Sequence, residues 1–496
     1  MPTRWFIESD SPDARLRRWA QTRVSVPHWT SVLAGEWSLA GQNVAQTLLS
    51  VPRRLSRASA NPHYNPARMS SDLKTVSRYV LPSGLTIIIE TLPYVRSVAL
   101  GYYLRSGSAV ESEEHSGASH FLEHLVFKGT ATRSTSDIAK VIDILGGDVD
   151  AFTGKEYTSF YCHVLDEQMM TALGLLTDIV ISPRFTDDDL EVERGVILEE
   201  IKMVEDTPDD LVHEIFVTAF WPDHPLGRPI LGTEETVNRL GRKQILAHYD
   251  ETFHPSNMIF CASGNVRPED ILPFLEKTFA NDTKPPLART WSAPTPAQHV
   301  ILREKRELEQ VHLCLGSRGF PQQGDERYAA ALFNAILGGG MSSRLFQRIR
   351  EKMGLVYTVM SYHNGYVNGG YEAIYAACAP KNLKRVLDMT LAEMRTIKSG
   401  GATAEELSSA KLHLKGSILL SLESTVSRMS GLARQEYYFG RQFSPDEITA
   451  AIDAVTLEDI ANVAATIVDP ESLSLTLIGN LKSPGISTDM LRKAVA

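Results

Sequence analysis

Cysteine is scarce and unpaired: Cys162, Cys261, Cys314 and Cys378 are the only four in 496 residues, and no two form a CxxC pair. Three of them sit in strand-like apolar runs, a pattern of reduced core thiols in a reducing compartment rather than a disulfide framework. Long hydrophobic runs are missing too. No stretch approaches 18 consecutive apolar residues, so nothing reads as a membrane-spanning helix. Positive charge is in deficit, with 50 Lys and Arg against 60 Asp and Glu. A net charge of −10 disfavours nucleic acid as a partner and suits basic peptides or small molecules. Glycine (33) and proline (25) are unremarkable, which removes collagen-like and low-complexity readings. What remains is a globular chain, 43% hydrophobic and 22% charged, long enough for about three structural units.

Lysine is absent from residues 1–68, which hold nine Arg and four acids (Glu8, Asp10, Asp13, Glu36), so 9 − 4 = +5 here and −15 in the remainder. The arm also carries Trp5, Trp19, Trp29 and Trp37 and shows no sustained period. Glu36 and polar residues interrupt every candidate signal-peptide core. A disordered extension or a start assigned upstream of Met69 is the favoured reading of this arm, and an organelle transit segment the competing one.

Regular patterning begins at Lys74. A Pro-Ser-Gly turn divides two strand-like pieces within Ser77–Leu92, and Ser97–Tyr103 alternates toward a third strand. Helical periods follow at about 116–128, 135–145, 166–181, 187–205 and 209–219, with strand-like pieces between Asp148 and Val164. Residues 281–297, with Lys-Pro-Pro, Ala-Pro and Thr-Pro, read as a linker. Beyond it the order recurs. Gln310–Leu315 echoes the strand at 97–103, Ser-Arg-Gly follows it as Arg-Ser-Gly followed the first, and helices and strands repeat out to about 423. The expectation is an α+β fold of two homologous halves, each a largely antiparallel sheet with helices packed on one face. Residues 69–280 would form the N-terminal half and 298–496 the C-terminal half.

The chemistry concentrates in the first half. His120-Phe121-Leu122-Glu123-His124 is an HxxEH sequence, the inverse of the commoner HExxH order. At 100° per residue, His120, Glu123, His124 and Phe127 fall within about a 100° arc of a helix. Phe121, Leu122, Leu125 and Val126 take the opposite side. Two imidazoles one turn apart can bind one metal, with a carboxylate beside them. A second helix, from Asp187 to Glu200, is rich in carboxylates. Glu193 and Glu200 share a face there, whereas Glu199 points away and reads as solvated surface.

The run Glu193-Arg194-Gly195-Val196-Ile197-Leu198-Glu199-Glu200, ending 76 residues after His124, completes a resemblance. From about 74 to 480 the chain resembles the pitrilysin family of zinc peptidases, among them the catalytic subunit of the mitochondrial processing peptidase and its short bacterial relatives. The resemblance implies one Zn²⁺ per chain, held by His120, His124 and Glu200, with Glu193 orienting the site. It implies that Glu123 is the general base for a water that attacks a peptide bond. Gly146–Thr153 is similar to the family's substrate-pairing edge strand, with Asp150 standing where Asn is common before Ala151 and Phe152. Phe127 matches a pocket-lining position, with plain helix packing as the alternative. Asp210 and Glu214, one turn apart, match acids that read an arginine upstream of the cut; a solvated helix face competes with that reading. In the second half a helix is expected at 342–353, followed by Gly354 and a strand; Arg350 and Tyr357 there have the spacing of a family pair that binds the substrate carbonyl and stabilises the oxyanion. On their own they would be a surface cation and a strand aromatic.

Long members of the family close four such halves as a clamshell. The resemblance therefore implies a homodimer, or a heterodimer with an inactive relative. Three functions follow: an endopeptidase for extended peptides in a bacterial-like cytoplasm, a presequence-processing subunit in the mitochondrial matrix, or a non-catalytic scaffold. An intact HxxEH with Glu200 argues against the last.

Overall fold

Two runs of the chain build nearly the same sheet. The computed structural model describes residues 75–496 apart from 283, 288–291 and 484. The Arg-rich arm lies outside the described residues, as does part of the 281–297 linker.

The first run contains β1 (Val76–Val80), β2 (Thr86–Thr91), β3 (Ser97–Leu104), α1 (Ala118–Leu125), α2 (Thr135–Leu145), β4 (Asp148–Thr153) and β5 (Thr158–Leu165). It continues with α3 (Met169–Ile181), α4 (Asp187–Asp206), α5 (Pro208–Phe220), α6 (Glu234–Arg239), α7 (Arg242–Thr252), β6 (Met258–Gly264) and α8 (Pro268–Thr278). The second run contains β7 (Val300–Glu304), β8 (Val311–Arg318), α9 (Arg327–Leu337), a π-helical turn at Phe346–Glu351, β9 (Val356–Gly365) and β10 (Gly370–Cys378). Then come α10 (Leu383–Lys398), α11 (Ala404–Ser421), α12 (Thr425–Phe439), α13 (Pro445–Ala454), α14 (Leu457–Ile467), β11 (Ser474–Gly479) and α15 (Thr488–Val495).

Strand order is β1-β2-β6-β3-β5-β4 in one sheet and β7-β11-β8-β10-β9 in the other. With β1 set aside, the two orders superimpose strand for strand. The parallel pair recurs in the same place, β2 with β6 and β7 with β11, and every other pairing is antiparallel. The duplicated, largely antiparallel α+β fold expected from the repeat is therefore present. All four cysteines, rather than three, lie in strands, and all are buried and free.

The expectation that each half packs its helices on one face of its own sheet holds, and the other face is covered as well. Each sheet packs its own helices on one side: α1, α3 and neighbours over the first, α9, α10, α11 and α14 over the second. The other face is closed by a helix from the opposite half. Leu211, Val212, Phe216 and Phe220 of α5 pack on Cys314, Tyr371, Ala373 and Tyr375 of the second sheet. Met429, Leu432 and Ala433 of α12 pack on Ile88, Ala99, Tyr103, Ile259 and Cys261 of the first. The physical reason is in the strands. β2, β3, β6 and β10 are buried at nearly every position, so both faces are apolar and both must be covered.

Charged groups lock the exchange. Glu436 of α12 accepts from Arg78 (Nη2 2.9 Å, Nε 3.1 Å), and Arg428 pairs with Glu90 at 2.5 Å. Glu156, in the β4–β5 hairpin, accepts from the Val367 amide and the Tyr438 hydroxyl of the second half, each at 2.8 Å.

Candidate metal centre

Helix α1 is short and held at its start by a side chain from outside it. Gly117, at φ 98°, takes the N-cap position, a conformation that residues with a Cβ rarely adopt. The buried Glu111 carboxylate accepts from the Gly117 and Ser119 amides at 2.8 and 2.7 Å. These bonds satisfy amides that the helix itself cannot. Burial pushes the Glu111 acid up to about 7, against the pull of those two amides. Phe121, Leu122, Leu125 and Val126 are fully buried in the first core, as the helical arc requires. The polar arc is buried as well: His120 and Glu123 are 1% and 7% exposed. His120 faces a second helix, not solvent.

That helix is α4, whose Glu193 and Glu200 are buried while Glu199 is 74% exposed and pairs with Lys202. One ligand atom each from His120, His124 and Glu200 lies within 4.8 Å of the other two. Glu200 Oε2 stands 3.7 Å from His124 Nε2 and 4.0 Å from His120 Nε2. It has no hydrogen-bond partner among the described residues. His124 Nδ1 is 3.0 Å from Glu193 Oε2, so its Nε2 is the atom turned toward Glu200.

The electrostatics are those of a cation site. Burial holds His120 well below the usual imidazole range, with the neighbouring His124 adding to the effect. Burial also lowers His124, but the bond to Glu193 and the charges of Glu200 and Glu123 outweigh it and raise this group. Glu200 and Glu123 are each pushed up to about 7 by burial, despite the attraction of His124. Two buried carboxylates, Glu123 and Glu200, and two imidazoles thus lie where a divalent ion would replace protons as the compensating charge. Two His and one Glu, separated as here, fit zinc and leave a fourth position open.

Glu123 stands beside this set without joining it. Its Oε2 accepts from Thr153 Oγ1 at 2.6 Å, at the end of β4. β4 is the edge of the first sheet, paired with β5 alone among the described strands. Asp150 Oδ1 accepts from the Ala151 amide at 2.8 Å, and Tyr161 donates to its other oxygen at 3.3 Å. Phe152 lies edge-on to Tyr157 at 5.6 Å. Phe127 packs against the first core, 6.5 Å from Phe160, which is the packing role set against a pocket role above.

Asp210 lies early in α5 and is pushed up to about 6 by burial, with Asp209 and Glu214 adding like charge. Arg350 and Tyr357 are together, the guanidinium 5.5 Å from the ring centroid, and Tyr357 is 77% exposed. Among the described residues no hydrogen bond or ion pair joins this pair to the His120–His124–Glu200 set. The expected helix at 342–353 is shorter, helical from Arg344 and passing into a π-helical turn over Phe346–Glu351.

Sequence reasoning missed Glu111, Lys128 and Thr153 as parts of this centre. Lys128 carried a signal, since it stands four residues after His124 on one helical face. Glu111 and Thr153 carried none, because their partners are set by tertiary contact.

This fold, with His120, His124 and Glu200 placed where they could hold one metal ion, is the kind found in a class of metallopeptidase, and comparison with known proteins gives the family. Residues 86–234 match the family model described as insulinase (peptidase family M16), and residues 239–414 match the peptidase M16 inactive domain. An uncharacterized zinc protease of Streptomyces coelicolor is 39% identical over 429 residues, 85% of this chain and 93% of the relative. One from Bacillus subtilis is 39% identical over 411 residues, 82% of this chain and 100% of the relative. The crystal structure of a peptidase M16 inactive domain from Pseudomonas fluorescens has a TM-score of 0.76 at 20% identity, covering 82% of this chain and 98% of that one. A protease from Helicobacter pylori follows at 0.75 and 19%, covering 81% and 99%. The chain belongs to the M16 family, the pitrilysin-type zinc peptidases.

Proposed function

We propose that this protein is a zinc-dependent endopeptidase that cleaves extended peptides, with His120, His124 and Glu200 holding one Zn²⁺ and Glu123 acting as general base. The observation that carries the reading is the convergence of three ligand atoms from α1 and α4 beside a fourth carboxylate that is held apart. When bound, zinc supplies Lewis acidity toward a peptide carbonyl and brings the pKa of a coordinated water toward about 7.

The chain's own residues supply the rest. Thr153 fixes one oxygen of Glu123, and the other takes the proton from the attacking water and returns it to the leaving amine. Glu193 holds the His124 ring so that Nε2 faces the metal. The open edge of β4, from Asp150 to Phe152, offers main-chain groups to an extended substrate. The acids at Asp210 and Glu214 favour basic residues in that substrate, a preference supported by the like charge that Asp209 and Glu214 place beside Asp210. Phe127 lines the pocket with whatever part of its ring the core leaves open.

Arg350 and Tyr357 bind the substrate carbonyl and the oxyanion once a second chain, another copy or an inactive relative, closes the chamber. The exposure of Tyr357 supports a role toward something outside the single chain. No described helix is long and apolar enough to cross a membrane. Four buried free thiols and bacterial relatives support a cytoplasmic place of action.

The test is zinc content together with cleavage of unfolded peptides before and after chelation. Stoichiometric zinc with chelator-sensitive cleavage is the expected result. A chain that binds no zinc, or cleaves equally without it, would end the reading.

A further inference from the structure

Lys128 closes a chain of contacts that ends on a metal ligand. It is the last residue of the single 3₁₀ turn, Val126–Lys128, that follows α1. Its carbonyl is fixed twice, accepting from Thr135 Oγ1 at 2.7 Å and from Arg184 Nη2 at 3.0 Å. Arg184 is itself tied to the same turn, its amide donating to the Gly129 carbonyl at 3.0 Å. With its backbone held at the start of α2 and at the approach to α4, Lys128 sends its ammonium inward to Glu193, Nζ to Oε1 at 2.6 Å. The opposite oxygen of that carboxylate meets His124 Nδ1 at 3.0 Å.

We propose that Lys128 is a positioning residue for the metal centre, fixing the plane of the Glu193 carboxylate and through it the orientation of the His124 ring. The physical case rests on burial and geometry. The Glu193 side chain is 3% exposed and lies between two partners, its Oε1 ion-paired with the Lys128 ammonium and its Oε2 at hydrogen-bond distance from His124 Nδ1. A carboxylate held at one oxygen alone can swing about its χ3 torsion, which is broad and roughly two-fold. Held at both, it presents a single acceptor direction to Nδ1, and the ring turns Nε2 toward Glu200 in one orientation. Lys128 is itself 23% exposed, so its ammonium keeps part of its hydration while neutralising a buried charge. Groups that orient a ligating histidine from behind typically change metal affinity by about 10–100-fold when removed.

The proposal rests on the zinc reading, and the experiment separates the two. Lys128→Met keeps the aliphatic stem and removes the charge; Lys128→Arg keeps a cation at the same place. Three measurements suffice: zinc affinity by chelator competition, the visible spectrum of the cobalt-substituted protein, and thermal unfolding of the metal-free chain. Lys128→Met should bind zinc about 10–100-fold more weakly and shift the cobalt bands, with metal-free unfolding close to wild type. Lys128→Arg should recover most of the affinity. Wild-type zinc affinity and an unchanged cobalt spectrum in Lys128→Met would overturn the proposal. So would a fall in metal-free stability that accounts for the whole loss of affinity, since Lys128 would then merely hold the loop. A wild-type chain that binds neither metal refutes the zinc reading itself, a result distinct from both.

Discussion

Glu123 and Glu200 are both buried carboxylates near His124, yet the roles proposed for them, general base and zinc ligand, separate under isosteric substitution. Glu123→Gln leaves the ligand set intact, so near-stoichiometric zinc should persist while hydrolysis falls by about 10²–10⁴-fold. Glu200→Gln replaces a charged ligand with a poor one, so zinc should bind weakly and excess metal should restore part of the activity. Metal analysis beside a peptide assay reads both, and the reverse pattern would exchange the two assignments. A second carboxylate tests burial without any metal. Glu372 of β10 is 1% exposed, lies between its cross-strand neighbours Ser317 and His363, and has neither oxygen hydrogen-bonded among the described residues. Burial alone holds it well above its ordinary 4.5. A folded-state pKa raised above the unfolded one gives stability that is fully present below about 4.5 and is lost as pH rises toward the folded value. Glu372→Gln cannot ionise, so its stability advantage over wild type should grow with pH above that point. Urea unfolding across pH 5–9 checks this; parallel curves for the two proteins would show that Glu372 is solvated.

At the scale of elements, the exchange of α5 and α12 depends on close approach rather than on helix propensity. Gly316 of β8 is pressed by Phe216 of α5, and a Cβ there would stand 2.2 Å from the ring's Cζ. Phe216 is fully buried, with no free direction in which to turn. Gly316→Ala should therefore destabilise by about 1–3 kcal/mol, the usual scale of overpacking in a filled core. Thermal or urea unfolding measures it, and a neutral result would mean that α5 is not seated as described. Elements of this kind were partly legible in the sequence. The 3.6-residue periods marked α1, α4 and α5 to within a few residues, because each repeats its buried positions at that spacing, largely apolar in α1 and α5 and alternating Leu190, Glu193, Ile197 and Glu200 in α4. The π-helical turn at Phe346–Glu351 was read as an ordinary helix, since hydrogen-bond register leaves no trace in apolar spacing.

For the whole molecule, each half leaves an apolar sheet face for the other to cover, so neither should stand alone. Residues 75–280 produced by themselves would expose Ile88, Ala99, Tyr103 and Ile259, the face that Met429 and Leu432 occupy in the intact chain. They should aggregate or lack cooperative unfolding, and co-production with residues 292–496 should restore a soluble complex. A first half that unfolds cooperatively alone would show that α12 is dispensable to it. This mutual dependence also ties the β4–β5 hairpin to the second half. Glu156 joins that hairpin to Val367 and Tyr438, while Thr153, three residues earlier, holds Glu123.

The sequence by itself determined the duplication, the alternation of strands and helices, and the HxxEH face with Glu200 a fixed distance beyond. These are periodic or local features, so spacing along the chain is enough to reveal them. Only the tertiary structure decided which face of each sheet the opposite half would cover, that Glu111 caps α1, that Thr153 holds Glu123 and that Lys128 reaches Glu193. Each of those contacts joins residues whose approach depends on how α1, α4 and β4 pack. One-dimensional spacing carries no information about such a distance until the core has set the elements in place.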